Sequence, residues 1–349
     1  MTKGNVLVIG AGGQMGRVAV AALAEDGWEV TAASRGGGRD AAWPAEVRAV
    51  PLDRADGAAL AAVVGEGSDV VVDLVAYDAE HAEQLIGLAT AGRIGSAVVV
   101  STAAVYEDDR GRNFDTQAEP DGFPRYPVPV PESQRTVAPG GATYGTRKVR
   151  LEQRLAEAGD VLPTTVLRAG AVHGVHCRTP RELYFVKRML DGRRRHALAF
   201  GGASRFHPTH TSNIGELIRL AARAPGSRVL NAADPQAPSV AEIAAAIGRV
   251  MGVETPAVPF DGPPAADGVG DTPWSVPHPV VLDMAAAERE LGYRPLTTYA
   301  DSLPATVDYL TARLAAHGDW REAFPAMAAT YGDALFDYAS EDAWWAART

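Results

Sequence analysis

The sequence lacks most features of disulfide-rich, membrane and nucleic-acid-binding proteins. Among 349 residues there is one cysteine, Cys177, which excludes an intramolecular disulfide and a cysteine-rich zinc site. No run of about eighteen apolar residues occurs, and "MTKGNVLVIG" begins a strand pattern rather than a signal peptide. A net charge of −10 argues against a general nucleic-acid binder. We therefore expect a cytoplasmic protein with no nucleic-acid or membrane partner.

Lysine is also scarce. The 33 basic residues are almost all arginine, and the lysines are Lys3, Lys148 and Lys187. Lys148 follows Tyr144 by one helical turn in "GGATYGTRKVRLEQRL". A compact ammonium and a planar guanidinium form different interactions. A lysine at this position, in a sequence that otherwise uses arginine, therefore indicates a specific role.

Short apolar runs alternate with helical segments in the first half. The runs are continuous rather than alternating, as in parallel strands that are buried on both faces. Strands are predicted at 5–9, 29–33, 47–50, 69–75, 97–101 and 164–168, and helices at 15–25, 56–64, 79–91 and 144–158. This order predicts an α/β fold, a Rossmann-type doubly wound parallel sheet with a smaller C-terminal substrate-binding lobe.

Two domains are predicted. Residues 1–170 form the dinucleotide-binding domain, and residues 171–349 form a mixed substrate-binding lobe with a helical tail, some segments of which return to the first domain. A loop at 107–142, rich in proline, glycine and charge, separates a strand end from the Tyr144 segment. Loops of this length are usually functional or disordered, so we expect a lid over the site.

A glycine-rich turn follows the first strand. In "VLVIGAGGQMGR", Gly10, Gly13 and Gly16 stand between that strand and a helix, with Gln14 and Met15 inside the turn. Glycine permits a tight turn and lets backbone amides approach a pyrophosphate at the helix N-terminus. These five residues are therefore candidates for binding a dinucleotide.

The second strand ends without the carboxylate that would hold the 2′-hydroxyl of NAD. Ser34 takes that place and Arg35 follows it. Because a hydroxyl and a guanidinium would bind a 2′-phosphate, NADP is favoured over NAD. Arg17 and Arg39 are weaker candidates for the same phosphates.

Hydroxyl groups and an amine form the candidate catalytic set. Tyr144 and Lys148 share one helix face, and an adjacent ammonium would lower the phenol pKa and make the pair a usable acid and base. Ser101 and Thr102 end the fifth strand, at the sheet edge where ligands bind in such folds. The alternative for these two residues is that they cap the next segment.

Together these motifs resemble the extended branch of the short-chain dehydrogenase/reductase superfamily, whose members are NAD(P)-dependent epimerase- and dehydratase-like. The glycine spacing matches, Asp53 in "PLDRAD" resembles the adenine contact, and "STAAVY" resembles the active-site hydroxyl motif, selecting Thr102. Tyr144 and Lys148 match the catalytic pair. "VLRAGAVHGV" and "LGYRPLT" resemble later family motifs.

The resemblance implies hydride transfer at a nicotinamide. Tyr144 would exchange the alcohol proton, Lys148 would lower the Tyr144 pKa and hold the nicotinamide ribose, and Thr102 would bind the substrate oxygen. Ala103 and Ala104 stand where sugar dehydratases carry an acidic pair, so dehydration is disfavoured. His173 stands where a tyrosine is common.

Three functions stay open. The first is an NADP-dependent oxidoreductase acting on a carbonyl or secondary alcohol of a small, anionic or sugar-like substrate. The second is a sugar epimerase with transient oxidation, and the third is a non-catalytic cofactor sensor. A homodimer is also open.

Two features of the second half bear on the substrate. Basic residues at 178–195 either hold a substrate phosphate or carboxylate or form a solvated helix face. His207 and His210 are expected to line the lobe and not to bind a metal.

Overall fold

The structure, a computed structural model, describes residues 3–348 except for the side chains of 333 and 334. The strands are β1 (Asn5–Ile9), β2 (Glu29–Ser34), β3 (Arg48–Pro51), β4 (Ser68–Asp73), β5 (Ile94–Thr102), β6 (Thr164–Ala169), β7 (Ala171–His173), β8 (His196–Leu198), β9 (Pro208–His210), β10 (Arg228–Ala232) and β11 (Ala257–Pro259). The helices are α1 (Gln14–Glu25), α2 (Gly57–Val64), α3 (Ala79–Thr90), α4 (Tyr144–Glu157), α5 (Leu183–Leu190), α6 (Thr211–Arg223), α7 (Val240–Met251), α8 (Ala285–Leu291), α9 (Tyr299–His317), α10 (Trp320–Ala323), α11 (Pro325–Tyr331) and α12 (Tyr338–Ala346).

The chain divides into two compact units. The first comprises the chain up to Gly170 together with Thr211–Ala233 and Leu282–Leu296. The second comprises Ala171–His210, Asp234–Val281 and the chain from Thr297 onward. Two later segments thus belong to the first unit.

The first unit is built on a seven-stranded sheet in the order β10-β6-β5-β4-β1-β2-β3. Every pair is parallel. This confirms the predicted doubly wound α/β fold. The seventh strand, β10, was not predicted, because it returns to the sheet from a distant part of the chain.

The strands are apolar on both faces because helices cover the sheet on both sides. Their side chains, with those of α2, α3 and α4, form one core cluster that includes Leu7, Val71, Val99, Leu151 and Val166. In the described part of the chain, no helix is long and apolar enough to cross a membrane.

The second unit has its own core. Helices α5, α7 and α9 pack around fully buried side chains that include Phe185, Ile247, Trp274 and Leu303. The expectation of helices near the C-terminus is met by α10, α11 and α12. Trp344 and Trp345 of α12 are buried in a smaller cluster with Val269.

The sheet order places four strand ends side by side. Strands β5, β4, β1 and β2 are consecutive neighbours, so the residues after them lie along one edge. The connections reverse direction between β1 and β4. Ligands of open α/β sheets bind outside the carboxyl ends at such a switch point.

Gly16→Ala tests the close approach of α1 to the turn after β1. A Cβ atom at this position would lie 2.3 Å from the Gly10 carbonyl oxygen and 2.6 Å from Ala11 Cα. Neither backbone atom can move aside alone. We expect the variant to lower the free energy of unfolding by about 1–3 kcal/mol, measured by urea denaturation of the ligand-free protein.

Gly87→Ala is the matched control. Gly87 is an exposed residue of α3, and a Cβ there would meet no described atom within 4 Å. Alanine should therefore raise stability by about 1 kcal/mol through helix propensity. Equal stabilities of the two variants would contradict the packing argument.

Candidate active site

The turn between β1 and α1 brings backbone amides to the sheet edge. Gly10 has a φ of +88°, which favours glycine, and its carbonyl accepts a hydrogen bond of 3.0 Å from Gly13 N. Gly13 is the N-cap of α1; none of the described side chains caps it, and the first turn has no acidic residue. The N-terminal amides are therefore available to an anion.

The surroundings of this turn fit a dinucleotide. A Cβ at Gly10 would lie 2.9 Å from Val75 Cγ1, so only glycine leaves this space. Gln14 Oε1 is buried and has no hydrogen-bond partner among residues 3–348, and Met15 is half-buried. A cofactor would supply the missing partner, which suits the predicted binding residues.

The end of β2 presents a hydroxyl and a guanidinium. Ser34 is the last residue of β2, and its Oγ lies 3.6 Å from the Cβ position of Gly12 in the glycine turn. Arg35 is exposed, and its guanidinium has no hydrogen bond or ion pair with any residue that the structure describes. Both residues thus lie at the carboxyl edge of the sheet.

Arg17 and Arg39 are committed elsewhere. Arg17 Nε donates to the Gly12 carbonyl at 3.2 Å, and its guanidinium is paired with Asp40. Arg39 donates to the carbonyls of Val47 and Trp43, each at 2.7 Å. Of the three arginines, Arg35 therefore has the available guanidinium.

Asp53, the predicted adenine contact, follows β3 and is exposed. One carboxylate oxygen accepts a hydrogen bond of 3.1 Å from Ala55 N. Its other carboxylate oxygen accepts no hydrogen bond from the residues that the structure describes. The adenine contact stays a prediction.

Helix α4 carries the Tyr144 and Lys148 pair. It begins at Tyr144 because Thr143 and Thr146 form a reciprocal capping box. Tyr144 is 41% exposed, whereas Lys148, one turn later, is 2% exposed. Lys148 Nζ donates to the carbonyls of Ala76 and Val100, each at 2.7 Å.

The structure separates the roles of Thr102 and Ser101. Thr102 ends β5; its hydroxyl accepts from Ala104 N at 3.1 Å and lies close enough to the Tyr144 phenol to lower the pKa of that phenol. Ser101 is buried and donates to Glu152. Thr102 thus caps the following turn and also faces the candidate catalytic tyrosine.

The expectation that Lys148 brings the Tyr144 pKa below its ordinary value is wrong. Burial raises the pKa of Tyr144, Tyr77 raises it further, and the nearby Thr102 hydroxyl opposes both. The Lys148 ammonium donates to two carbonyl oxygens. Burial lowers the pKa of Lys148 to about 8.

Tyr77 is a site residue that the sequence analysis missed. It lies four residues beyond the end of β4, its ring centroid is 6.4 Å from that of Tyr144, and Lys148 Nζ lies 5.8 Å from it. Its position at the carboxyl edge of a central strand could have identified it.

A buried ionic network lies behind the site. Arg168, near the end of β6, donates to Glu152 of α4 at 2.7 Å and 3.1 Å, and its guanidinium lies 4.9 Å from the centre of the Tyr106 ring. The Tyr106 hydroxyl donates to Asn231 of β10 at 2.6 Å. This network fixes α4 against three strand ends, and the sequence analysis did not identify Glu152 or Asn231.

The loop at 107–142 is extensively anchored. Val137 N donates to the Val105 carbonyl at 2.8 Å, and the Tyr126 hydroxyl donates to the Tyr106 carbonyl at 2.7 Å. Asp108 is buried, which raises its pKa, but backbone hydrogen bonds from Arg125 and Arg112 bring it down to about 2. The first two bonds anchor the loop to the segment that precedes it. A lid function for this loop stays a prediction.

Comparison with known proteins identifies the family. A model of the NAD-dependent epimerase/dehydratase family matches residues 6–233. The chain belongs to this family. The predicted relationship to extended short-chain dehydrogenases/reductases is thereby confirmed, and the protein is an NAD(P)-dependent enzyme. No curated protein sequence matches the chain.

Solved structures share the fold of this enzyme. A UDP-glucose 4-epimerase from Stenotrophomonas maltophila, with bound NAD and formylated UDP-arabinopyranose, is 20% identical with a TM-score of 0.69, covering 90% of this chain and 99% of its own. A UDP-N-acetylglucosamine 4-epimerase from Methanobrevibacter ruminantium, in complex with UDP-N-acetylmuramic acid, is 17% identical with a TM-score of 0.68, covering 90% and 100%. A UDP-glucose 4-epimerase from Thermotoga maritima, with UDP-glucose, is 19% identical with a TM-score of 0.66, covering 89% and 99%.

The basic cluster of the second unit of this enzyme is partly neutralised by ion pairs. Arg188 and Arg193 pair with Glu341 of α12, and Lys187 pairs with Asp191. The counter-charges come from α12 and from Asp191 at the end of α5. Among residues 3–348, Arg178, Arg181, Arg194 and Arg195 form no ion pair, although the guanidinium groups of Arg181 and Arg195 lie over aromatic rings. Whether the remaining basic residues hold a substrate anion stays a prediction.

Histidines of the second unit lie in a buried polar cluster. His173 Nε2 is 2.8 Å from Asp234 Oδ2, and its Nδ1 is 3.7 Å from Glu182 Oε1. His207 Nε2 is 2.8 Å from the Asp234 carbonyl, and burial lowers the pKa of His210 to about 4. Within residues 3–348, no group of three or more histidine, cysteine, aspartate or glutamate side chains is arranged to hold a metal ion.

Lys148→Met tests the burial of the ammonium. The folded pKa is about 8, below the ordinary 10.5, so between these pH values the unfolded chain binds more protons than the folded one. Wild-type stability relative to Lys148→Met should therefore rise as pH increases from about 8 to about 10.5, by on the order of 3 kcal/mol. Urea denaturation across this range measures the difference.

Below about pH 8 the difference between the two proteins should be constant, because Lys148 is then charged in both states. A flat difference over the whole range would show that the ammonium is not desolvated. Such a result would contradict the burial of Lys148.

Proposed function

We propose that this enzyme is an NADP(H)-dependent oxidoreductase that acts at a carbonyl or secondary alcohol carbon of a small, sugar-like substrate. The observation that carries the proposal is the convergence of Thr102, Tyr144 and Lys148 beside the glycine turn at one sheet edge. The family match supports a nicotinamide cofactor. The Ser34 and Arg35 pair supports NADP in particular.

The chain's own residues suit proton transfer to a substrate oxygen. When bound, the nicotinamide would supply the hydride acceptor or donor. Tyr144 holds a proton at its phenol oxygen on a half-exposed side chain. Thr102 accepts from Ala104 N, so its own O–H can donate either to the Tyr144 phenol oxygen or to a substrate oxygen.

The electrostatics favour Tyr144 as an acid. Its pKa is raised by burial, so the phenol is protonated at neutral pH and can give a proton to a carbonyl oxygen. Lys148 keeps one N–H beyond the two donated to Ala76 and Val100, and this group is suited to the nicotinamide ribose.

A second candidate function is epimerisation. Structures that share this fold include UDP-sugar 4-epimerases with bound UDP-sugars, and the same residues could oxidise and re-reduce one carbon. Dehydration is less well supported, because Ala103 and Ala104 follow Thr102. No carboxylate is therefore present in that turn for removing water.

Tyr144→Phe tests the proton-transfer role. We expect kcat/KM to fall by about 100-fold or more, because general acid catalysis is lost. NADPH oxidation with a panel of ketones and keto-sugars measures it, and UDP-sugars are assayed separately for a change at one carbon without net NADPH consumption. Tyr331→Phe, on α11, controls for loss of a phenol hydroxyl elsewhere.

The two candidate functions give different results with the wild-type enzyme. Stoichiometric NADPH consumption supports the reductase, whereas an interconverted sugar with retained cofactor supports the epimerase. Near wild-type turnover in Tyr144→Phe would overturn both assignments.

Arg35→Ala tests the choice of cofactor. Removing a charge-assisted partner of the 2′-phosphate should weaken NADPH binding by about 10- to 100-fold and leave NADH binding nearly unchanged. Fluorescence titration of the reduced cofactors measures both. Arg48→Ala is the control. Arg48 is an exposed arginine at the N-terminal end of β3, on the sheet edge away from Arg35.

If Arg35→Ala lost affinity for NADPH and NADH equally, Arg35 would not be a partner of the 2′-phosphate. Tighter NADH than NADPH binding by the wild-type enzyme would contradict the NADP proposal directly.

A further inference from the structure

An exposed aromatic pair lies at the sheet edge. Tyr77 is 50% exposed and Tyr144 is 41% exposed, and their rings are in tilted contact with centroids 6.4 Å apart. They are among the few large apolar side chains of the described chain that are substantially exposed. Tyr77 follows β4 and Tyr144 begins α4, so the sheet edge brings them together.

The ring of Tyr77 also faces the buried ammonium. Lys148 Nζ lies 5.8 Å from the ring centroid, within cation–π range. The same ammonium donates to the Ala76 carbonyl at 2.7 Å, one residue before Tyr77. The backbone and ring of this segment are therefore both held by Lys148.

We propose that Tyr77 is a positioning residue of the active site, whose ring covers the Lys148 ammonium and contacts the Tyr144 ring. This inference rests on the proposed function and adds a third side chain to the pair. The aromatic face stabilises the charged amine, which the surrounding apolar groups disfavour. A leucine would occupy similar space without that face.

Other charged groups also act on Lys148. Asp73 at the end of β4, Glu152 on α4 and Asp78 at the N-terminus of α3 all favour the charged amine, against the larger effect of burial. Asp73 is held by Arg54 at 2.6 Å, and Glu152 by Arg168 at 2.7 Å. Both carboxylates are therefore fixed by other partners, so a change at Tyr77 should leave them in place.

The scarcity of lysine makes a direct measurement possible. With carbon-13 at lysine Cε, the ligand-free protein should give signals from Lys3, Lys148 and Lys187, and Lys148→Met identifies the Lys148 signal. In Tyr77→Leu we expect the Lys148 pKa to fall by about half a unit, roughly a three-fold change in its acid dissociation constant. Tyr77→Phe keeps the ring and should restore the wild-type value.

Lys3 and Lys187 are internal references, because neither contacts Tyr77, and their signals should titrate identically in all variants. An unchanged Lys148 titration in Tyr77→Leu would overturn the proposal. Equal shifts of the Lys148 pKa in Tyr77→Leu and Tyr77→Phe would also overturn the proposal, because the aromatic ring would then have no effect of its own.

Turnover gives a second readout. In Tyr77→Leu, kcat should fall more than KM rises, and the alkaline limb of the kcat profile should move down by the same half unit. The NMR titration needs neither cofactor nor substrate. The NMR titration therefore tests the role of Tyr77 separately from the proposed function. The proposed function is tested by the Tyr144→Phe assay.

Discussion

The arrangement of the candidate site depends on one buried ammonium. Lys148 Nζ binds the carbonyl oxygens of Ala76, after β4, and Val100, in β5, and so joins α4 to two neighbouring strand ends. An unpaired buried charge is unfavourable, and the two carbonyls together with nearby carboxylates compensate for its desolvation. Because Tyr144 stands one turn earlier on the same helix, its position follows from this anchor.

Behind this anchor, ionic and hydrogen-bonded contacts hold the same helix from the other side. Arg168 of β6 binds Glu152 of α4, and Glu152 accepts from Ser101 beside Thr102. The hydroxyl residue and the tyrosine are thus positioned by a single helix fixed to β4, β5 and β6. A rigid scaffold that carries its reactive groups at the strand ends is suited to orienting a substrate against a cofactor.

Much of the first unit could be predicted because its signals are local. Continuous apolar runs indicated buried parallel strands, and Gly10, Gly13 and Gly16 indicated a turn that approaches the next helix closely. The order of strands and helices in this unit is confirmed. Strand β10 could not be predicted, because its pairing partner, β6, lies about sixty residues earlier and no local pattern records that pairing.

The site shows the same division. Residue type and spacing were enough to nominate Thr102, Tyr144 and Lys148, because a helix repeats every 3.6 residues and strand ends meet at one edge. Electrostatics could not be read in this way: the pKa of Tyr144 is raised because burial and the neighbouring Tyr77 outweigh the nearby Thr102 hydroxyl. Sequence by itself determined the fold family and the candidate groups, whereas tertiary structure decided what surrounds each group, since burial and through-space distance depend on residues far apart in the chain.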